Sequence, residues 1–357
     1  MESALKELKI LDLSMNLPGP YMTWLLASLG AEVIKIENPK TGDTLRHLGN
    51  YANTTRISPY FEAVNRNKKS LTLNLKKDRG KQIYFGLLQH YDLVVEGFRP
   101  GTMERLGIGF ESAFKVQPKL IQVSMSGYGQ KGPFATRAGY DLNQLALTGI
   151  LSITGTRNGN LAIPGIQIAD IAGGSLMALA ALLAAVIQRK STGEGQLVDV
   201  SIFDGTLSLT TMIASAVEAG LEEEGPGSMM LNGGSPCFGV YETKDDRQMA
   251  LAAVTPKFWY NFCSAIERED LRSLQFGGEE VILELKKIFS MRTQNEWIRL
   301  FTDVDTPCEP VMNLRETTSS DLVKVRDMLT VNAHGKKLLC SPFKLNNSPV
   351  QKDAPAP

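Results

Sequence analysis

The chain is long enough for more than one domain and carries no net charge. It has 357 residues, in which 38 Lys and Arg balance 38 Asp and Glu. This length is sufficient to bury a sizeable core, and the charge balance gives no support to nucleic-acid binding or to a polybasic membrane surface. The four cysteines lie far apart without CxxC spacing, which argues against zinc and favours a reduced, cytoplasmic protein.

No targeting or membrane segment is predicted. The first residues run into a strand-like segment without the apolar stretch of a signal peptide. The longest apolar stretch, residues 175–188, is shorter than the ~20 residues that a membrane span requires. It therefore predicts a buried core helix.

The first half of the chain alternates strand-like and helix-like segments. Residues 8–13 and 32–36 have strand character and enclose a helical stretch that ends at Gly30. Further strands are predicted at 70–75, 92–96 and 120–125. Since helix-length segments separate them, we expect an α/β fold with a Rossmann-like parallel sheet.

The second half predicts a smaller α+β domain. A helix at 175–190 and a strand at 197–202 precede it, and a hairpin is predicted at 239–254. Further helices are predicted at 257–268, 279–291 and 293–302. We expect a large domain at 1–215, a small domain at 216–320, and a segment 321–357 that returns toward the large domain and ends as an extended or loose tail.

Asp170 is the first candidate for chemistry. It lies just before the predicted helix, where free backbone N–H groups and the helix macrodipole favour a carboxylate that is charged at neutral pH. On position alone, a helix N-cap is the simpler interpretation. The pair Gly173 and Gly174 favours a functional role instead, because glycines let a ligand approach the backbone closely.

Two glycine-containing loops are further candidates. The segment GYD at 139–141 follows a Gly- and Ser-rich loop beyond a predicted strand, the place where open α/β sheets bind ligands. The segment NGGSP at 232–236 could close over a site and exclude water. A plain surface turn explains either loop as well.

Basic residues near predicted strand ends could meet phosphate groups as charge-assisted partners. They are Arg66, Lys68, Lys69, Arg99 and Arg105. Taken singly, each is more simply a solvated surface charge. The histidines are widely separated, and neither a P-loop nor a GxGxxG fingerprint occurs, so a Ser-His-Asp, metal or nucleotide-loop mechanism has no support in the sequence.

Taken together, these segments resemble the class III CoA-transferase family, which also contains α-methylacyl-CoA racemase. The resemblance covers about residues 5–350. Its segments are LPGP (17–20), LGAEVIKIE (29–37), NRNKKS (65–70), LNL (73–75), VEGFRPG (95–101), GYGQ (127–130), GYD (139–141), ADIAGG (169–174) and TGEGQ (192–196). Each segment is weak evidence, whereas their shared order and spacing are specific.

The resemblance implies a Rossmann-like CoA domain, an interlocked dimer, and Asp170 as the nucleophile that attacks an acyl-CoA. The acyl group would pass to Asp170 as an anhydride, CoA would return to give an aspartyl thioester, and a carboxylic acid would then take the CoA. Gly233 and Gly234 match the family's closing glycine loop. Acyl-CoA is expected as a substrate, with no tightly bound cofactor and no metal.

The resemblance also assigns CoA contacts. Phe98 and Arg105 match positions near the adenine and ribose, and Arg137 with the basic cluster at 65–69 matches positions near the phosphates. Leu17 belongs to the matching LPGP segment and is a further expected contact. Asn38 and Gly97 depart from residues that some members carry, Arg and Asn.

Two activities remain open at this point. The middle of the chain looks closest to the racemase branch, but racemisation needs two opposed acid/base groups. The family's racemases carry a His before the Asp of the Gly-x-Asp motif and a Glu before a later Pro, where this chain has Tyr140 and Thr255. A phenol is a poor base at neutral pH and a threonine is none. The residues favour a transferase, with a racemase as the alternative.

Other properties are expectations only. A CoA-binding subunit of a heteromeric transferase is a second alternative, although retention of Asp170 argues against it, and a homodimer and a heterodimer are equally compatible. The choice of carboxylic acid is expected from residues around 40–60, 140–166 and 225–240. Family members usually continue past a Pro-rich stretch such as DAPAP (353–357) into a last helix, which is either trimmed from this sequence or absent.

Overall fold

The computed structural model describes residues 2–49, 57–157, 159–332, 335–348, 350 and 354–357. The chain forms two compact units. The first contains Met1–Thr148, Ile166–Leu209 and Asp321–Pro357, and the second contains Gly149–Gly165 and Thr210–Ser320. This division differs from the expected domains because residues 149–165 belong to the second unit, where the Asn232 amide binds the Ile153 carbonyl at 3.1 Å.

The first unit is built on a parallel sheet, as expected. Its strands are β1 (Lys9–Asp12), β2 (Glu32–Glu37), β3 (Lys69–Thr72), β4 (Leu93–Glu96), β5 (Ile121–Ser126) and β6 (Gln196–Ser201). They lie in the order β3-β2-β1-β4-β5-β6, and every neighbouring pair is parallel. The Rossmann-like α/β prediction is therefore confirmed.

Helices connect these strands. They are α1 (Pro18–Ser28), α2 (Pro59–Asn65), α3 (Asp78–Leu87), α4 (Thr102–Leu106), α5 (Phe110–Val116), α6 (Asp141–Leu147), α7 (Met177–Thr192) and α8 (Ile202–Ser208). Pro18 begins α1, where its missing N–H costs no helical hydrogen bond. Tyr84 of α3 and Met103 of α4 are buried with Val94 of β4 in one apolar cluster. Burial of this kind holds the helices against the sheet.

The helix that carries Asp170 is longer than the sequence predicted. A π-helical run at Ala169–Leu176 leads directly into α7, which makes one continuous helix at Ala169–Thr192. Its 24 residues, with a mean hydropathy of 2.0 over an 18-residue window, are enough to cross a membrane by length and composition, so the argument from length was wrong. This is weak evidence for a span, because core helices of soluble proteins have the same properties.

Gly173 has a packing role in this helix. A Cβ at Gly173 would clash with the backbone of Thr206, and a Cβ at Gly205 would clash with the Gly173 carbonyl. The π-helical run and α8 therefore touch backbone to backbone. The glycine pair was expected to admit a ligand, but the position of Gly173 is explained by this close helix contact.

The second unit has an antiparallel sheet, with strands β7 (Phe238–Glu242), β8 (Gln248–Ala252) and β9 (Cys308–Pro310). Its helices are α9 (Thr211–Glu218), α10 (Pro256–Ala265), α11 (Glu279–Phe289), α12 (Gln294–Phe301) and α13 (Leu314–Ser319). The predicted hairpin and the three predicted helices are confirmed. Their core contains stacked rings, among them Trp259 on Phe262 with centroids 5.4 Å apart.

The return segment, residues 321–357, belongs to the first unit and packs against the rest of it. It forms α14 (Asp321–Val325) and the pair β10 (Leu329–Val331) and β11 (Lys337–Leu339). The Ser28 hydroxyl donates a 2.8 Å hydrogen bond to the Ser341 hydroxyl, and Ala356 is buried. The expectation of a loose tail is therefore wrong for these residues, because burial fixes them. Residues 349 and 351–353 lie outside the described part.

Candidate active site

The site lies where the strand order of the parallel sheet reverses. From β1 the chain builds outward to β2 and β3, and then returns to the other side through β4. The loops that leave neighbouring strands β1 and β4 consequently run in opposite directions and open a crevice at their carboxyl ends. Ligands of open α/β sheets bind at such a switch point.

A cleft of about 300 Å³ occupies this position. Its walls come from the loops after β1, β4 and β5, from the segment before α6, and from the π-helical run. The residues are Ser14, Met15, Asn16, Pro18, Gly19, Gly97, Phe98, Arg99, Pro100, Met125, Ser126, Gly127, Ala135, Arg137, Ala138, Gly139, Tyr140, Asp170 and Ile202. The volume is at the lower end of the range for small-molecule sites.

Asp170 lies in the first turn of the π-helical run, not before the helix. Ile168 occupies the cap position, so the N-cap interpretation of Asp170 is wrong. The Asp170 backbone N–H donates to the Asp141 carboxylate at 3.1 Å. The Ser175 hydroxyl bridges the Asp170 and Pro18 carbonyls at 3.0 and 2.7 Å. These contacts fix the backbone of the candidate nucleophile against α1 and α6.

The electrostatics of Asp170 differ from the expectation. Burial, followed by the negative charge of Asp141, raises the pKa of Asp170 to about 7. The helix macrodipole favours the ionised form, but desolvation in the cleft outweighs it. The expectation of a fully charged carboxylate at neutral pH is therefore wrong. A carboxyl group that titrates near neutrality is unusual, and such groups cluster at functional sites.

Tyr140 lies at the mouth of the cleft, immediately before α6. Its backbone N–H donates to the Asn143 side chain at 3.0 Å, which begins the helix, and its own side chain is 74% exposed. Because Tyr140 is the N-cap of α6, Asp141 is the first residue of that helix, and its carboxylate accepts the Asp170 N–H. The structure thus brings together Tyr140 and Asp170, which are 30 positions apart in the sequence.

The cleft also contains two cations and an aromatic ring that the sequence singled out. Arg99, Arg137 and Phe98 line it. The Arg137 guanidinium lies 5.8 Å from the ring centroid of Phe134, a cation–π distance. Two guanidinium groups beside a glycine-rich wall suit an anionic ligand.

The basic cluster at 65–69 does not line this cleft. Lys68 is fully buried and forms an ion pair with Asp12 at 3.2 Å, so its expected role at a phosphate is not supported. Arg66 is 3% exposed, with its guanidinium 4.9 Å from the Trp24 ring centroid and bonded to the Leu339 carbonyl. The sequence analysis treated Lys68 and Arg66 as surface cations. Their buried partners, Asp12 for Lys68 and Trp24 for Arg66, are distant in the sequence and could not be recognised from it.

Three other residues that were predicted to contact CoA do not line the cleft. Lys69 is exposed and pairs with Glu32 at 2.7 Å. Arg105 is also outside the lining and donates to the Thr102 hydroxyl at 2.8 Å. Leu17 is not in the lining either, although Asn16 and Pro18 on either side of it are.

The glycine loop belongs to the second unit. Gly233 has φ +117°, a left-handed conformation, and a Cβ at Gly234 would clash with the Ser228 carbonyl. The Asn232 amide also donates to the Gly225 carbonyl at 2.9 Å, which ties the loop to its own base. Glycine is thus required at both positions for the loop conformation. Gly233 and Asn232 also line a separate cavity of about 580 Å³ in this unit.

Sequence reasoning missed the wall formed by the loop after β1. Ser14 and Asn16 line the cleft, and Asn16 adopts φ +63°. The only available signal was the polar SMN segment between a strand and the LPGP turn. Of the ranges expected to select the acid, residues 50–56 and 158 lie outside the described part of the chain.

The fold and cleft define a doubly wound α/β protein with a ligand site at its switch point. The chain matches the model of CoA-transferase family III over residues 5–357, and it belongs to that family. An acyl-CoA transferase of Fusarium pseudograminearum is 37% identical over 92% of this chain and 75% of its own length. Human α-methylacyl-CoA racemase is 33% identical over 90% of this chain and 81% of its own length.

Solved structures agree with this assignment. A CaiB/BaiF family protein from Brucella suis superposes with a TM-score of 0.86 at 25% identity, over 100% of this chain and 96% of that one. Further relatives at 30% to 35% identity have CoA-transferase names. The resemblance inferred from the sequence is confirmed, and this chain is an enzyme of the kind that acts on acyl-CoA thioesters.

Proposed function

We propose that this protein is a CoA-transferase that moves CoA from an acyl-CoA to a carboxylic acid through covalent intermediates on Asp170. The observation that carries the proposal is the position of Asp170, whose carboxyl group faces the switch-point cleft and has a pKa near neutrality. Its backbone is fixed by Asp141 and Ser175. A nucleophile held in this way loses little freedom on reaction.

The reaction proceeds by repeated acyl exchange. The ionised Asp170 attacks the thioester carbonyl, the C–S bond breaks, and the CoA thiolate leaves an acyl-aspartyl anhydride. The thiolate then attacks the aspartyl carbonyl and releases the first carboxylate. An incoming carboxylate then attacks the aspartyl-CoA thioester, expels the CoA thiolate and forms a second anhydride. The thiolate attacks the acyl carbonyl of this anhydride, which releases the new acyl-CoA and regenerates the Asp170 carboxylate. Arg99 and Arg137 hold the anionic part of CoA in the cleft.

Racemisation is the second candidate, since a relative is a racemase. It requires an acid/base group on each face of the α-carbon. Among the described residues that line the cleft, Asp170 is the one carboxylate and there is no histidine. Tyr140 stands where the family's racemases carry His. The composition of the cleft therefore favours transfer.

Intact-protein mass spectrometry with a panel of acyl-CoAs tests the function. Hydroxylamine converts an aspartyl anhydride or thioester to a stable hydroxamate, so we expect a modification that peptide mapping locates at Asp170. The same mixtures are run in deuterated water. A hydroxamate without deuterium at the α-carbon supports the transferase. Deuterium uptake without a hydroxamate would instead establish the racemase.

The pH dependence follows from the raised pKa of Asp170. Because only the ionised form is a nucleophile, kcat/KM should rise with pH and level off above about 7. At pH 5 it should be about 100-fold below the plateau, from the ionised fraction alone. Steady-state rates from pH 5 to 9 measure this. CoA binding to the Asp170→Ala variant over the same range corrects for titration of the ligand.

Asp141→Asn provides the matched variant for this experiment. Asn keeps the oxygen that accepts the Asp170 N–H but removes the negative charge that raises the pKa of Asp170. The rise in kcat/KM should therefore begin at lower pH. A profile that is flat between pH 5 and 8, or that shifts to higher pH in this variant, would contradict Asp170 as the titrating group.

We propose a homodimer or a heterodimer with a related subunit, because one relative is the alpha subunit of a succinyl-CoA–L-malate CoA-transferase. We propose a cytoplasmic location because no disulfide joins the four cysteines, all of which lie in the described part of the chain.

A further inference from the structure

Asn16 adopts a backbone conformation that needs support. Its φ of +63° lies in the left-handed region, which Asn adopts more readily than most residues other than glycine, particularly when its side chain is hydrogen-bonded nearby. Asn16 lies in the loop after β1 and lines the cleft between Met15 and Pro18. Strained residues of this kind persist only where the surrounding structure holds them, and they concentrate at ligand sites.

Asp43 and Thr44 hold Asn16 from outside the cleft. The Asn16 backbone N–H donates to Asp43 Oδ1 at 3.2 Å, and the Thr44 hydroxyl donates to the Asn16 side-chain oxygen. The same Asp43 oxygen accepts the Leu45 N–H at 2.9 Å and caps the short 3₁₀ helix Thr44–His47. One buried carboxylate oxygen therefore joins the strained residue to a neighbouring helix.

A buried lysine fixes Asp43 in turn. Lys35 Nζ lies 2.8 Å from Asp43 Oδ2, with both side chains fully buried, and it donates to the Ser14 carbonyl at 2.8 Å. The Asp43 backbone N–H donates to Glu37 at 2.9 Å. Removing one partner of a buried ion pair is costly, so the pair with Lys35 holds the Asp43 carboxylate in place. Both ends of the segment 14–16 are tied to β2.

We propose that Asp43 is a positioning residue for the CoA substrate, because it holds Asn16 in the left-handed conformation that shapes the cleft wall. The inference rests on the proposed function, in that the cleft must receive CoA. Asp43 is absent from the cleft lining and acts through Asn16. Nothing in the sequence pattern marks it, since it lies in an ordinary TGDT segment.

Two substitutions at Asp43 separate positioning from stability. Asp43→Asn and Asp43→Ala both remove the charge that Lys35 requires, so both should lower Tm to a similar extent. Only Asp43→Asn keeps an oxygen for the Asn16 N–H. Calorimetric titration with CoA should show the Kd raised about tenfold or more in Asp43→Ala and less than about threefold in Asp43→Asn.

Two further variants complete the test. Thr44→Val removes the other contact to Asn16 from an exposed residue and should raise the Kd about threefold with Tm unchanged. Asp78→Ala removes an exposed carboxylate in α3 and should leave the Kd unchanged.

The outcomes are distinguishable. Equal loss of CoA affinity in both Asp43 variants would reduce Asp43 to a structural role and overturn the inference. Unchanged affinity in Thr44→Val would overturn it even if Asp43→Ala does not fold. Failure of the unmodified protein to bind CoA would overturn the proposed function together with this inference, whereas binding that is insensitive to all these variants overturns the inference alone.

Discussion

Asp170→Ala is expected to reduce turnover by about 1,000-fold or more while CoA binds with nearly unchanged Kd. The variant removes the only nucleophile that the proposed reaction uses, and losses of this size are usual when a covalent catalyst is deleted. The cations Arg99 and Arg137 remain in the cleft, so ground-state binding of CoA should persist. Measured kcat for acyl-CoA and an acceptor acid, with calorimetric Kd for CoA, provides the comparison.

Asp204→Ala is the matched control, because Asp204 is an exposed carboxylate in the first turn of the neighbouring helix α8. It should retain full activity. Near-normal turnover in Asp170→Ala would refute the covalent mechanism.

The thermal stability of an Asp170→Asn variant gives an independent check of the raised pKa of Asp170. Asp170 holds its proton up to about pH 7 in the folded state, whereas an unfolded Asp releases it near its ordinary value of 3.8. Its contribution to stability is therefore complete below pH 3.8 and is lost as the pH rises toward 7. Replacement by Asn should raise Tm more at pH 8 than at pH 5.

Lys68→Met is expected to lower the free energy of unfolding by about 3–5 kcal/mol, because it leaves the buried Asp12 carboxylate without its partner. Although burial acts to raise it, the charges of Lys68 and Lys35 and hydrogen bonds from Ser14 and Thr23 lower the pKa of Asp12 to about 2. Asp12 is thus ionised in the folded protein and depends on Lys68. Urea unfolding of the variant measures the loss.

Adding Asp12→Asn to Lys68→Met should restore most of the stability, since both charges are then absent. Lys81→Met is the control, because Lys81 pairs at 3.6 Å with the exposed Asp78 and should contribute less than about 1 kcal/mol. If Lys68→Met instead kept its stability and lost CoA affinity, the phosphate role expected from the sequence would be restored.

The fold was largely predictable from the sequence, and the reason is physical. The central strands β4 and β5 are buried on both faces, and β4 appears in the sequence as the short apolar run LVVE between helix-length segments. The hairpin of β7 and β8 was equally clear from its turn. The junction before α7 was not predictable, because the π-helical run Ala169–Leu176 has no distinct sequence pattern and moved the helix start to include Asp170.

The site was predictable in part. Asp170 and Tyr140 came from motifs whose local sequence carries the signal, and the structure brings both to one cleft. The roles of the basic residues could not be predicted, because the sequence does not distinguish an exposed lysine from a lysine in a buried ion pair. Lys35 is the instructive case: its side chain is fully buried within strand β2, where a charge without a partner would be prohibitive. The structure identifies that partner as Asp43, which the sequence did not indicate.

The backbone contact between Gly173 and Gly205 has a consequence for attempts to redesign the enzyme. Ile202 of α8 lines the cleft and would lie 3.3 Å from a Cβ at Gly174, so it is an obvious residue to enlarge or trim for a new acyl group. Because α8 and the turn that carries Asp170 are in direct backbone contact, a shift of one moves the other. Changes of substrate preference are better sought at Met15 or Ala135, which line the cleft from the loops after β1 and β5.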